Sequence, residues 1–147
     1  MPVRISGPPE GVRGARVDLP RLRRRARRLL SALGYAGAEL SVALIDDAEM
    51  KALNHAWRGR NRATDVLSFS LLEGEAAEHR GDLLGDVVIS VETAAEQAAV
   101  RHSALDDEIL RLLIHGLLHV VGHDHETDSD ARLMEQEHRR LRRLVGC

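Results

Sequence analysis

The chain has one cysteine, Cys147, at its last position, so no internal disulfide is possible and a reducing compartment is expected. Lysine is nearly absent: of 21 basic residues all but Lys51 are arginine. No apolar run reaches the length of a membrane span. The first residues, MPVRISGPPEGVRG, hold no apolar signal-peptide core, so the expectation is a cytoplasmic chain without membrane partners. Repeats, low-complexity segments and linkers are also missing. At 147 residues the whole of 1–147 reads as one domain, long enough to bury about two-thirds of its unfolded surface. The net charge of −2 gives no overall field favouring nucleic acid, and no DNA partner is expected. What the balance conceals is clustering, because the arginines are not spread evenly.

The local patterns place elements in order. Residues 2–5 read as a short edge strand and PPEG at 8–11 as a turn. Asp18 is the N-cap of a helix with Pro20 in its first turn and Gly34 as its stop. Leu19, Leu22, Ala26, Leu29, Leu30 and Leu33 share one arc of that helix, and Arg21, Arg23, Arg24, Arg25, Arg27 and Arg28 take the other side. A solvated face is the plain reading of such a stripe, and a phosphate-backbone or membrane-surface contact is the functional one. ELSVALI at 39–45 predicts a strand, and a short helix starts from Asp46. DVLSFSL at 65–71 alternates as a strand does, and LLEGEAAEHRG reads as a loop of a length that is often functional. GDVVIS at 85–90 predicts another strand and 91–101 a helix. Ser103 and Asp106 resemble a capping box opening a helix from 104 to about Val121, and a last helix spans 128–145. There Arg139, Arg140, Arg142 and Arg143 complement the dipole at the C-terminus. Strands followed by a run of helices point to α+β.

Residues 115–125 read HGLLHVVGHDH and carry half of the chain's eight histidines. On a helix His115 and His119 lie on one face, about 6 Å apart along the axis, and can offer two imidazoles to one ion. The surrounding residues are apolar almost all round, so the helix is buried and its histidines face inward or into a cleft. Gly122 suits a left-handed stop, after which the chain can turn back and let His125 supply a third ligand. Three imidazoles at this spacing describe a catalytic zinc site with an open fourth position, at the end of a buried central helix. His123 competes with His125 but has less chain in which to swing back; Asp124 is a candidate to hold an imidazole N–H. One residue is conspicuously absent. Zinc proteases of this spacing carry glutamate directly after the first histidine, and here that position is Gly116. Zinc lowers the pKa of its own water to about 7 without such a base, so the motif implies a hydrolase and leaves the substrate open.

A second stretch, NHAWRGRNRATDVLSFSL at 54–71, places Arg58, Arg60 and Arg62 in alternation ahead of a strand. Guanidinium forks match phosphate oxygens and stabilise phosphoryl charge, although such arginines in a loop are also commonly just solvated. Trp57, the only tryptophan, is expected in the core, with base stacking as the other reading.

Three stretches together resemble the YbeY family, bacterial rRNA maturation factors described as single-strand-specific, metal-dependent endoribonucleases. HGLLHVVGHDH resembles the family's H-G-x-L-H-L-x-G-Y-D-H, WRGRNRATDVLSF its Y/W-R-G-x-x-x-x-T-D-V-L-S-F, and LLGDVVIS its L-G-D-I-V-I-S, in order from about residue 39 to 137. The resemblance implies Zn2+, one ion per chain, on His115, His119 and His125, and a functional arginine at Arg58 in place of Arg60 or Arg62. It implies an α+β domain with a small mixed sheet packed with helices and a metal in a basic cleft. The implied substrate is single-stranded RNA of the small ribosomal subunit, including the 3′ end of 16S rRNA, with a part in ribosome quality control. His123 departs from the family's tyrosine. The arginine-rich first helix lies outside the matching region and now reads as an RNA or ribosome contact. No carboxylate is clearly placed as general base; Glu108 is on the histidine side of its helix but two turns earlier. Two other classes remain open: a ribosome-associated RNA-binding protein with a structural metal, and a zinc hydrolase of another substrate class.

Overall fold

A computed structural model describes residues 3–59, 64–71, 83–123 and 126–146, apart from the Arg58 side chain. Among these residues the order is β1 (Val3–Ser6), α1 (Leu19–Ala32), β2 (Glu39–Ile45), α2 (Asp47–Arg58), β3 (Val66–Ser70), β4 (Leu83–Ser90), α3 (Val91–Arg101), α4 (Leu105–Val120) and α5 (Asp128–Val145). The strands form one mixed sheet in the order β1-β2-β4-β3. β1 and β4 run parallel to β2, pairing Val3 with Leu40 and Val42 with Val87, while β3 is antiparallel to β4, pairing Leu67 with Val88. The result is a single α+β domain, with helices α1 and α2 interleaved among the strands and α3 to α5 following them.

Strand alternation divides the apolar residues between the two faces of the sheet. Val3, Leu40, Val42, Leu44, Val87 and Ile89 enter the main core with α1, α3, α4 and α5. Leu67 and Val88 face the other way, where Met50 of α2 covers them, with Ala43, Ile45, Leu53 and Phe69 around. α4 lies on β3 and β4 and also touches α1, α3 and α5. That central position explains its unusual sequence, since a helix covered on every side must be apolar on every side. Ile109, Leu113, Ile114, Leu117 and Leu118 are fully buried. Among the described residues no helix is long and apolar enough to cross a membrane.

Local chemistry sets the helix ends. The side chain of Asp18 accepts from the Arg21 amide, that of Asp46 from Glu49, that of Ser90 from Thr93 and that of Thr127 from Asp130. Four departures from the sequence reading have physical causes. α4 starts at Leu105 with Ala104 as its N-cap and no side-chain cap bond, so Ser103 is not its cap. Asp106, assigned to that capping box, accepts instead from the backbone N–H of Asp18 at 3.1 Å and ties the start of α1 to α4. Arg25 is not on a solvated face. It is buried, donating to the Asp107 carboxylate at 3.1 Å and to the Asp106 carbonyl at 3.3 Å. β4 begins at Leu83 and runs through Gly85, where a Cβ would stand 2.4 Å from the Phe69 carbonyl oxygen of β3. Only glycine lets the two strands approach there. The loop predicted at 71–81 falls, after Leu71, outside the described residues.

Candidate metal centre and cleft

The last turns of α4 carry the histidine pair. Their ring centroids are 4.7 Å apart and the rings stand edge to face at 77°. Both residues are half-buried. Residue 116 points elsewhere. One step along the helix turns it about 100°, toward the sheet. A Cβ there would meet Val87 Cγ1 at 2.7 Å and Val66 Cγ2 at 3.1 Å. Gly116 is therefore the contact that seats α4 on the sheet, and the space in which a protease would keep its glutamate is filled by two valines.

The helix then ends as its sequence predicts. Gly122 has φ +103°, its amide donates to the His119 carbonyl at 3.1 Å, and the His123 amide donates to Leu118 at 2.9 Å. This pair of bonds is the Schellman arrangement, and it satisfies carbonyls that a helix end otherwise leaves open. On α5 the Glu137 carboxyl has its pKa lowered chiefly by hydrogen bonding from Arg140, with His123 a smaller electrostatic contributor. Asp124 and His125 lie outside the described residues, as do Arg60 and Arg62. Arg58 is the last residue of α2, which Gly59 closes at φ +67°; its side chain is outside the description.

His115 opens onto a cleft of about 530 Å³ whose polar wall includes Asp65, Arg111, His138, Arg139 and Arg142. α5 supplies one side because Ala131, Met134, Glu135, His138, Arg139 and Arg142 recur three and four apart on one helical face. The sequence alone predicts only a helix-dipole role for Arg139 and Arg142 and none for His138 or Arg111. The signal was that spacing, but it acquires meaning only once α4 is known to lie opposite. His138 Nε2 donates to the Arg111 carbonyl at 3.3 Å. Burial pushes its pKa below the ordinary imidazole value, and the neighbouring Arg142 and Arg111 charges push the same way against that hydrogen bond. The surroundings of His138 thus favour its neutral form. Asp65 is tethered: Oδ1 accepts from the Val66 amide at 2.8 Å and Oδ2 from Gln97 Nε2 at 3.2 Å. Glu108 is only 2% exposed, with Arg111 Nε at 3.4 Å and Arg101 Nε at 3.6 Å. A carboxylate enclosed by two guanidinium groups holds α3 and α4 together.

Trp57 corrects an expectation. It is 69% exposed, resting edge-on against Phe69 at 5.9 Å, and is no part of the core. Among the described residues no three His, Cys, Asp or Glu side chains are grouped to hold an ion. The donor set that is described suits a borderline-soft divalent metal: two imidazoles, on one helical face, with no thiolate competing.

Comparison with known proteins extends the resemblance beyond the motifs. The family model described as Endoribonuclease YbeY matches residues 14–146, so α1 falls inside the match. The chain is 48% identical over 147 residues to a protein named Endoribonuclease YbeY from Anaeromyxobacter sp., covering 99% of this chain and 73% of that one. To the protein of the same name from Geobacter metallireducens it is 40% identical over 127 residues, 85% of each chain. The solution structure of TM1509 from Thermotoga maritima superposes with a TM-score of 0.66 at 28% identity, over 97% of this chain and 88% of that one. Sequence and fold agree over nearly the whole length, and the chain belongs to the endoribonuclease YbeY family.

Proposed function

We propose that this protein is a Zn2+-dependent endoribonuclease that cuts single-stranded RNA in the cytoplasm during rRNA maturation. Its substrate is the 3′ end of 16S rRNA in the small ribosomal subunit, and ribosome quality control is part of the same role. The observation that carries this reading is the His115–His119 pair, 4.7 Å between centroids, with His115 opening onto an arginine-lined cleft. Relatives named endoribonucleases support RNA as the substrate class.

One zinc ion is held by His115, His119 and His125, three neutral ligands that leave a fourth position open. When bound, it supplies Lewis acidity toward a phosphoryl oxygen. The remaining work falls to the chain itself. Arg58 grips the scissile phosphate with its two-pronged guanidinium and offsets charge as it develops. Arg111 and Arg142 attract the flanking backbone to the cleft wall. The Schellman turn at Gly122 sets the direction in which the chain leaves α4 toward His125. Neither Gly116 nor Glu108 provides a protein base, which argues against a protease: one position is packed on valines and the other carboxylate is enclosed by arginines.

The test compares wild type, His119→Ala and Arg58→Ala, purified in parallel. Each is assayed on single-stranded RNA carrying the 16S 3′ end, and zinc is measured in each. Wild type is expected to hold zinc and cut; His119→Ala loses both. Arg58→Ala keeps its zinc and cuts about 100-fold more slowly, the order expected for removing one charge-stabilising donor. Equal cleavage by all three identifies a contaminating ribonuclease and overturns the reading. Wild-type cleavage by Arg58→Ala alone removes that residue from the mechanism.

A further inference from the structure

The histidine cleft uses only some of the chain's guanidinium groups. Arg21, Arg24 and Arg28 recur three and four apart on α1 and, with Arg25 and Val145, line a separate pocket of about 140 Å³. Beside the cleft lies a groove of about 350 Å³ walled by Asp107, Leu110, Arg139, Arg142, Arg143 and Gly146. The groove shares Arg139 and Arg142 with the cleft. It adjoins the α1 pocket at two points: across the Asp107–Arg25 ion pair at 3.1 Å, and along the consecutive residues Val145 and Gly146. Cleft, groove and pocket therefore follow one another around the C-terminal end of α5. Arg28 fixes the two helices there by donating to the Leu144 carbonyl at 2.8 Å.

The charge along this path is positive on balance. Asp107 is committed to Arg25 and Glu135 to Arg139, the latter at 2.6 Å. Asp18 and Asp106 accept from backbone amides at the N-terminal end of α1, near Arg21. Arg24, Arg142 and Arg143 form no carboxylate ion pair among the described residues. A merely solvated face has no need to align exposed arginines from two helices along one row of hollows. Among the described residues no Phe, Tyr or Trp lines the groove or the α1 pocket, so what they can grip is a backbone of phosphates, not a stack of bases.

The geometry points to an extended phosphate-binding track, from Arg139, Arg142 and Arg143 to Arg21, Arg24 and Arg28, that holds the RNA strand on one side of the cut. The α1 pocket seats a phosphate at its far end. This inference rests on the reading of the cleft as a site for RNA. It makes affinity depend on RNA length and on salt, while base sequence is indifferent along the track.

The test uses zinc-loaded protein and a fluorescent 2′-O-methyl oligouridylate of about 12 nucleotides, which resists cleavage, with a trinucleotide for comparison. Because Arg28 also bonds α5, the variant is Arg24→Gln/Arg143→Gln, checked for an unchanged melting temperature. Affinity is measured by anisotropy across a salt series. Removing two phosphate contacts is expected to lower the slope of log affinity against log salt by about 1.4, at about 0.7 per contact on a single strand. The loss of affinity is greater for the longer probe. Wild-type slope and affinity in the variant overturn the track while leaving the cleft reading in place. Failure of wild-type protein to bind either probe or to cut RNA overturns the reading on which the track rests. Unchanged RNA affinity together with lost binding to phosphatidylserine vesicles assigns the surface to a membrane and also overturns it.

Discussion

A methyl group at residue 116 would sit 2.7 Å from Val87 Cγ1, and Val87 is fully buried. Gly116→Ala therefore sets two effects against each other. Helix propensity favours alanine by about 1 kcal/mol, and overpacking a filled site costs about 1–3 kcal/mol. The clash involves a branched side chain inside the core, which has little room to yield, so the net effect is destabilisation by about 1 kcal/mol. A fall in the urea midpoint checks this; a rise would show that α4 lifts from the sheet at little cost. Trp57 offers the opposite case, a large apolar residue left 69% exposed. Its emission is expected at solvent-exposed wavelengths, and acrylamide should quench it in the native protein nearly as well as in urea. Addition of the 2′-O-methyl RNA is expected to reduce that quenching, since Trp57 adjoins Arg58. A blue-shifted, protected native signal would return Trp57 to the core.

At the scale of elements, the helix ends were the most legible features. Asp18, the period-two run at 39–45 and the span 128–145 emerge where the sequence places them, because a cap or an alternation needs only neighbouring residues. Arg25 was not legible: its partner Asp107 is 82 positions away, and nothing on α1 announces it. The same holds for the cleft. The histidine pair and Gly122 can be read from spacing, but the wall formed by His138, Arg139 and Arg142 depends on which helix faces α4. Gly122 gives the sharpest prediction here. Its φ is +103° and no atom of the described residues lies within 4 Å of a Cβ there, so Gly122→Ala meets none of them and suffers from its own backbone. A loss of about 1–2 kcal/mol is expected, with weaker zinc binding in competition with a chromophoric chelator because the turn directs the chain toward His125. Unchanged stability would mean that the Schellman bonds at 118 and 119 do not hold the turn.

For the whole molecule, pH links the cleft to folding. His138 is half-buried between Arg111 and Arg142, with its pKa lowered chiefly by burial. The folded state therefore binds its proton less readily than the unfolded chain does. The resulting stability is fully present above the unfolded imidazole value of about 6.5 and is lost as pH falls below it toward the lowered folded value. Other histidines titrate in the same range, and bound metal would compete with their protons. The contribution of His138 is therefore isolated by comparing metal-free wild type with metal-free His138→Gln. Urea unfolding between about pH 5 and pH 8 should show wild type losing stability more steeply on the acid side, while the two slopes converge above neutrality. Parallel curves throughout would mean that the imidazole is as free to protonate in the folded protein as in the unfolded chain. The wall of α5 would then be open to water, and Arg111 and Arg142 would face the cleft without a neutral spacer between them.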